Sequence, residues 1–193
     1  MSTLAPPVFG AEICGRWGAV RERDGGSVTH WAIDLCAPVG EPIYNLLPGI
    51  VWDVVWSEHG GNQIVMYWGR GMFARHSHCD VIWKKKGQWA SRYEMLGRVG
   101  KTGVNANGRA IDPHLHLQVM TKETGGDPVD MPALLGSLGI VEEGRRLVWR
   151  DDAPRPSAVP MLLGAAAFTG SLVGALTKSK VLGLAAAAPL IPP

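Results

Sequence analysis

Cysteine, phenylalanine, tyrosine and net charge are all in short supply in this 193-residue chain, and each shortage removes a class of protein. The three cysteines, Cys14, Cys36 and Cys79, are odd in number and widely spread, so no disulfide framework is expected. They read as buried or free thiols, and the lack of a CxxC pair argues against a thiolate zinc site. Lys+Arg 19 against Asp+Glu 17 leaves a formal net charge of +2. With no basic cluster denser than Lys84-Lys85-Lys86, the chain lacks the electrostatic footprint of a nucleic-acid binder. Its start, MSTLAPPVFGAEICG, has neither a basic opening nor an apolar run of signal-peptide length, so no secretory signal is expected. Phe and Tyr number three each beside eight Trp, an imbalance that composition alone does not explain.

What is present suffices for a folded domain. Hydrophobic residues make up 46% of the chain and charged residues 19%, which supplies a core and rules out disorder along the whole length. Residues 1–28 are Gly/Pro-rich and read as loop with one short strand. From Thr29 to Val119, short apolar runs such as GIVWDVVW, NQIVMYW and HLHLQV alternate with turn signals at Pro48-Gly49, Gly60-Gly61-Asn62 and Asn107-Gly108. Their lengths and β-branched content predict a compact antiparallel β domain over residues 29–135. Met131 to Leu138 (MPALLGSL) suits a short helix, and Val141 to Arg150 a charged connector with room for one more strand. Three prolines between Asp152 and Pro160 then mark an extended spacer, so residues 136–160 read as connector and linker. Residues 161–193 form an apolar tail, read as helical. The run Ala158 to Thr177 is uncharged over 20 residues, a length that spans about 30 Å as a helix. Gly170 and Gly174 give it a small-xxx-small pair, so both membrane insertion and docking on another protein fit it.

The chemistry gathers at the histidines. Side chains two or four apart on a strand share a face, so His114 and His116 point one way with Leu115 and Leu117 opposite. Read as one strand, His30-Trp31-Ala32-Ile33-Asp34 likewise puts His30 and Asp34 together, away from Trp31, Ile33 and Leu35. A catalytic zinc takes three imidazole or carboxylate ligands and keeps a fourth position open. His30, Asp34 and one histidine of the His114/His116 pair would supply them. The other histidine, with His76 or His78, would handle protons or hold an oxyanion. His59, at the Glu58-His59-Gly60-Gly61 turn, reads as a surface residue.

The pieces also come in a recognisable order. They are His30-Trp31-Ala32-Ile33-Asp34-Leu35 with Ala37-Pro38-Val39-Gly40, then Pro48-Gly49-Ile50-Val51, then Gly61-Asn62-Gln63-Ile64-Val65. Ala74-Arg75-His76-Ser77-His78 follows, then Lys86-Gly87-Gln88, Leu96-Gly97-Arg98-Val99-Gly100-Lys101-Thr102-Gly103 and Asp112-Pro113-His114-Leu115-His116-Leu117. From Gly15 to Leu135 the chain thereby resembles the lysostaphin-type (LytM-like) zinc metallopeptidases, which cut peptide bonds in bacterial peptidoglycan. The resemblance implies a mainly β, antiparallel sheet or sandwich of the duplicated hybrid motif type. It implies zinc on His30, Asp34 and His116, and a catalytic pair in His78 and His114. The choice of His78 over His76 comes from the resemblance, because an aromatic residue commonly stands two positions before that histidine; periodicity puts both on one strand face. Ala32 departs from the usual glycine, and Val104 to Asp112 is a longer connection than the family's, with Asp112 in place of a glycine.

A zinc endopeptidase acting on peptidoglycan is therefore expected, with no nucleic-acid partner. Without a secretory signal, the economical route to that substrate is a bacteriophage protein, carried in a virion tail or released as a lysin at lysis. Its apolar residues 158–193 would then serve virion proteins or the membrane. The competing reading is a virion or cell-wall-binding module that keeps fold and zinc without turnover.

Overall fold

The computed structural model describes residues 3–23 and 25–152. Thirteen strands and one helix follow in order: β1 (Glu12–Gly15), β2 (Ala19–Arg23), β3 (Gly26–His30), β4 (Ile33–Cys36), β5 (Pro42–Tyr44), β6 (Gly49–Ser57), β7 (Gly61–Tyr67), β8 (Phe73–Ile82), β9 (Trp89–Ala90), β10 (Met95–Val99), β11 (His114–Met120), α1 (Met131–Ser137), β12 (Ile140–Glu143) and β13 (Arg146–Trp149). Eleven of these strands form one sheet, in the order β12-β13-β1-β4-β11-β8-β7-β6-β9, with β10 pairing β8 and β5. The hairpin β2–β3 is a separate two-stranded sheet. The expected mainly β, antiparallel architecture is thus the one adopted.

Period-two alternation builds the core. In the register β11–β8–β7–β6, Val119 faces Ala74, Ala74 faces Met66 and Met66 faces Val51, and all four are buried. Leu115 and Leu117 lie on the same side, while His116, Gln118 and Met120 alternate to the opposite one. Each fully buried aliphatic side chain is worth about 1.5–3 kcal/mol over an exposed one, so this alternation fixes which face is core and which is cleft. Helix α1 starts where expected: the Asp130 carboxylate accepts from the Ala133 N–H at 3.0 Å and Pro132 occupies the first turn, while Met131 and Leu135 are buried.

Four expectations change. Residues 1–28 are richer in strand than they read, because β2 and β3 are exposed ribbons whose turn-and-polar sequence carries no apolar period. The connector forms a complete hairpin, β12–β13, turning at Gly144 (φ 63) and burying Ile140, Leu147 and Trp149. His30 and Asp34 do not lie on one strand. The strand is interrupted at Trp31-Ala32, so His30 ends β3 in the small sheet while Asp34 sits on β4 in the large one. Ala32, fully buried, and Trp31, 39% exposed, exchange the sides that a continuous strand would give them. Finally, Cys14 and Cys36 are not free thiols: they form a disulfide between the paired strands β1 and β4, and only Cys79 is a free, buried thiol. The apolar tail and its docking or membrane role lie outside the described residues; among those described, no helix is long and apolar enough to cross a membrane.

One core position is polar. His76 pairs with Ile64 and Leu117 on the core side of β8, is fully buried, and packs edge-on to Trp68 with ring centroids 6.3 Å apart. Neither ring nitrogen makes a well-formed hydrogen bond; burial lowers its pKa from 6.5 to about 4, against a weaker opposing pull from the Ile64 and Ala74 backbone. The unfolded chain takes up this proton near pH 6.5 and the folded chain only near 4, so acid favours unfolding across that window. Each pH unit there costs about 1.4 kcal/mol. His76→Phe is therefore expected to raise stability at pH 7 by about 1–3 kcal/mol and flatten the loss between pH 6.5 and 4. Denaturant titrations at several pH values check this; a less stable variant with the same acid slope contradicts it.

Candidate active site

Three strands deliver the ligand-type side chains. β11 pairs β4 with His116 opposite Asp34 and His114 opposite Cys36, which sets both histidines on the strand next to the carboxylate. The turn at Trp31-Ala32 then folds His30 over them. His30 Nε2 lies 3.2 Å from Asp34 Oδ1 and 3.3 Å from His116 Nδ1, and His116 Nδ1 lies 2.7 Å from the same oxygen. These three donor atoms form the one His/Cys/Asp/Glu group among the described residues with metal-ligand spacing. Two imidazole nitrogens and one carboxylate oxygen, with space beyond them, fit a catalytic zinc.

The atoms behind the donors orient them. His30 Nδ1 faces the Arg16 carbonyl at 3.0 Å, which can only accept, so Nδ1 carries a hydrogen and Nε2 is the nitrogen turned to the site. Asp34 Oδ2 accepts from Arg21 at 2.5 Å, leaving Oδ1 for the site. Burial alone would push the Asp34 carboxyl up, but hydrogen bonds from His116, His30 and Arg21 hold it well below the usual carboxylate range. Gly15 makes that arrangement possible, since a Cβ there would overlap both the Asp34 carboxylate and the Arg21 guanidinium.

His78 and His114 stand beside this group, with ring centroids 4.8 Å apart and His78 5.9 Å from His116. Strict alternation would send His78 to the core with His76. Instead the ladder between β7 and β8 slips after Asn62, and His78 adopts φ 65, a left-handed conformation costing about 1–2 kcal/mol in a non-glycine residue. That bulge turns His78 into the cleft and leaves His76 in the core, separating the two histidines that spacing could not. His78 Nδ1 donates to the Thr102 carbonyl at 2.8 Å and His114 Nδ1 to the Asp112 carbonyl at 2.9 Å. In both rings Nε2 is then the free nitrogen. Burial lowers the His78 pKa to about 4, so the ring is neutral near pH 7 and able to take a proton.

The cleft extends both ways from these five residues. On one side a cavity of about 260 Å³ is bounded by the site histidines with Ser57, His59, Gln63, Arg75 and Gln118. On the other a cavity of about 420 Å³ runs under the Val104–Asp112 loop to the Cys14–Cys36 disulfide. His59 is exposed as expected, at the rim. Arg21, Gln63 and Arg75 were not legible as site residues: a lone arginine or glutamine on a strand has no spacing signature.

The family comparison agrees with this geometry. Residues 28–131 match the model of peptidase family M23, more than half of the chain, and the chain belongs to that family of metallopeptidases. The peptidoglycan DD-endopeptidase ShyA of Vibrio cholerae serotype O1 is 33% identical over 101 residues, covering 52% of this chain and 22% of ShyA. The chain thus spans less than a quarter of that relative's length. A zinc-containing peptidase from Vibrio cholerae superposes with a TM-score of 0.55 at 28% identity, over 67% of this chain and 39% of that one. The catalytic domain of lysostaphin from Staphylococcus simulans gives 0.53 at 25% identity, over 66% of this chain and 90% of its own.

Two outcomes follow from the site's construction. Gly15→Ala should weaken zinc binding by about 10–100-fold in a chelator competition, as disturbed outer partners of metal ligands do; unchanged affinity would mean that the Arg21–Asp34 pair does not orient the carboxylate. His78→Gly should be more stable than His78→Ala by about 1 kcal/mol, because only glycine adopts φ 65 freely. Equal melting temperatures would show that the bulge carries no strain.

Proposed function

We propose that this chain is a zinc-dependent endopeptidase that hydrolyses peptide cross-links of bacterial peptidoglycan. The observation that carries the reading is the pairing of an oriented His30–Asp34–His116 donor set with His78 and His114, whose Nδ1 atoms are both tied to carbonyls. Zinc held by the three donors would supply Lewis acidity toward the scissile carbonyl and lower the pKa of a water. The residues themselves divide the remaining work. Nε2 of His78 or His114 accepts the water's proton. The imidazolium so formed hydrogen-bonds the developing oxyanion and then returns the proton to the leaving amine. Arg21 and the Arg16 carbonyl hold the donor set still while this happens.

The name of the related ShyA, a peptidoglycan DD-endopeptidase, makes a D,D cross-link the first substrate to test. A binding module without turnover gains nothing from the bulge that turns His78 into the cleft, so the hydrolytic reading is preferred. The Cys14–Cys36 disulfide suits a protein working outside the reducing cytosol, in keeping with delivery by a phage tail or at lysis. Mass spectrometry of purified virions checks that route, and absence of the chain from both virions and lysate would remove it.

Purified peptidoglycans of different cross-bridge types, incubated with and without chelator and read by mass, test the activity. Cleavage at one peptide bond, abolished by chelator and restored by zinc, is expected. His78→Ala and His114→Ala should each lose at least about 10²–10³ in rate while still binding zinc. His116→Ala should lose the metal. Undiminished turnover by His114→Ala would overturn the assignment of roles.

A further inference from the structure

The exposed aromatics form an ordered surface continuous with the cleft. Paired residues in an antiparallel ladder project to the same side, so the register can be followed outward from His116. His116 faces Ser77; the next rung on that side is Gln118 with Arg75 and Val65; the next is Met120 with Phe73, Tyr67 and Ile50, and Ile50 faces Trp89 on β9. This last rung is apolar across five adjacent strands. At about 4.8 Å per strand it crosses roughly 19 Å of sheet, and it lies two rungs, about 13 Å, from His116 along the strand direction. Trp52, at the bulge where β6 slips against β7, covers its middle, with ring centroids 5.3 Å from Phe73 and 5.9 Å from Tyr67.

Solvent reaches this rung, and it is held rigid. Trp52 is 42% exposed and Trp89 59% exposed. The Trp52 indole N–H donates to the Glu123 carboxylate at 2.7 Å, and Arg75 donates to the Glu123 carbonyl at 3.2 Å. An aromatic face fixed in advance binds a flat apolar surface without the cost of ordering it. The C–H face of a pyranose ring is such a surface. Arg75, on the rung between, also donates through Nη1 to Gln63 Oε1 at 2.9 Å; both of these partners are neutral oxygens, so its charge and its remaining N–H groups are available to an anion.

We propose that the Trp52–Tyr67–Phe73 platform, extended by Ile50 and Trp89, is a glycan subsite that seats the sugar strand of the substrate across the sheet. The stem peptide runs along the strands from sugar to scissile bond. An extended peptide covers about 13 Å in four residues, the separation between the platform and His116. Arg75 meets a carboxylate of that stem on the way. This assignment rests on the peptidoglycan reading above and names which part of that polymer the aromatics recognise.

The test separates binding from turnover. Peptide-free oligosaccharides of alternating N-acetylglucosamine and N-acetylmuramic acid are titrated into the labelled full chain, and the indole N–H resonances of Trp52 and Trp89 are followed, that of Trp89 alone in the Trp52 variants. Saturable shifts are expected, with affinity at least about tenfold lower in Trp52→Ala and largely kept in Trp52→Phe. In parallel, cross-linked muropeptides with and without their sugars serve as substrates; the sugar-bearing form should have the lower KM, and Trp52→Ala should shrink that difference. No saturation by the glycan, or equal affinity in Trp52→Ala, would overturn the subsite while leaving cross-link hydrolysis standing. Glycan binding without cleavage of any muropeptide would remove the hydrolytic reading and keep the platform.

Discussion

A single buried carboxylate organises the site. Asp34 is almost wholly withdrawn from solvent, and an isolated ionised carboxylate in that position would cost many kcal/mol. Every group around it answers that cost. Its Oδ1 takes both imidazoles and its Oδ2 takes Arg21, so β4, β11 and the β2–β3 hairpin are all drawn to one residue. Gly15 is small because those atoms fill the space a side chain would need. The position of the N-terminal hairpin is thus set by electrostatics more than by apolar packing, which accords with how exposed its strands are.

Much of this was legible from residue types and spacing, and the failures have physical causes. The HLH pair is legible because alternation along β11 is regular from His114 to Met120. His30 and Asp34 do converge, but across an interruption between strands of two different sheets, so the pair meets through a local conformation that alternation did not describe. His78 was beyond reach of periodicity, since a left-handed residue reverses the alternation and no side chain other than glycine advertises that conformation. The disulfide was missed for a related reason: three cysteines look like an unpaired set, and only the β1–β4 register brings two of them together. The β2–β3 hairpin carries charged or solvent-facing side chains on most positions, leaving little apolar pattern to read.

The tryptophan excess divides along the same line between core and cleft faces. Trp68 and Trp149 are buried and belong to the core, Trp68 donating to buried Asn45 at 2.9 Å. Trp52, Trp56, Trp83 and Trp89 are exposed at 42% or more, an expensive use of the largest apolar side chain unless something covers it. Of these, Trp52 and Trp89 fall on the rung that continues the cleft floor, which ties an oddity of composition to a direction on the molecular surface.

The separation into two sheets has a mechanical meaning. Among the described residues the β2–β3 hairpin shares no ladder with the large sheet, yet it holds one of the three metal-type donors and the arginine that steadies another. An ion bound by His30, Asp34 and His116 is therefore a bolt through the seam between the sheets. Binding energy spent there becomes clamping force on the hairpin. Such an ion would tie His30 on the hairpin to Asp34 and His116 on the large sheet, so part of its binding energy would stabilise the closed arrangement of the two sheets.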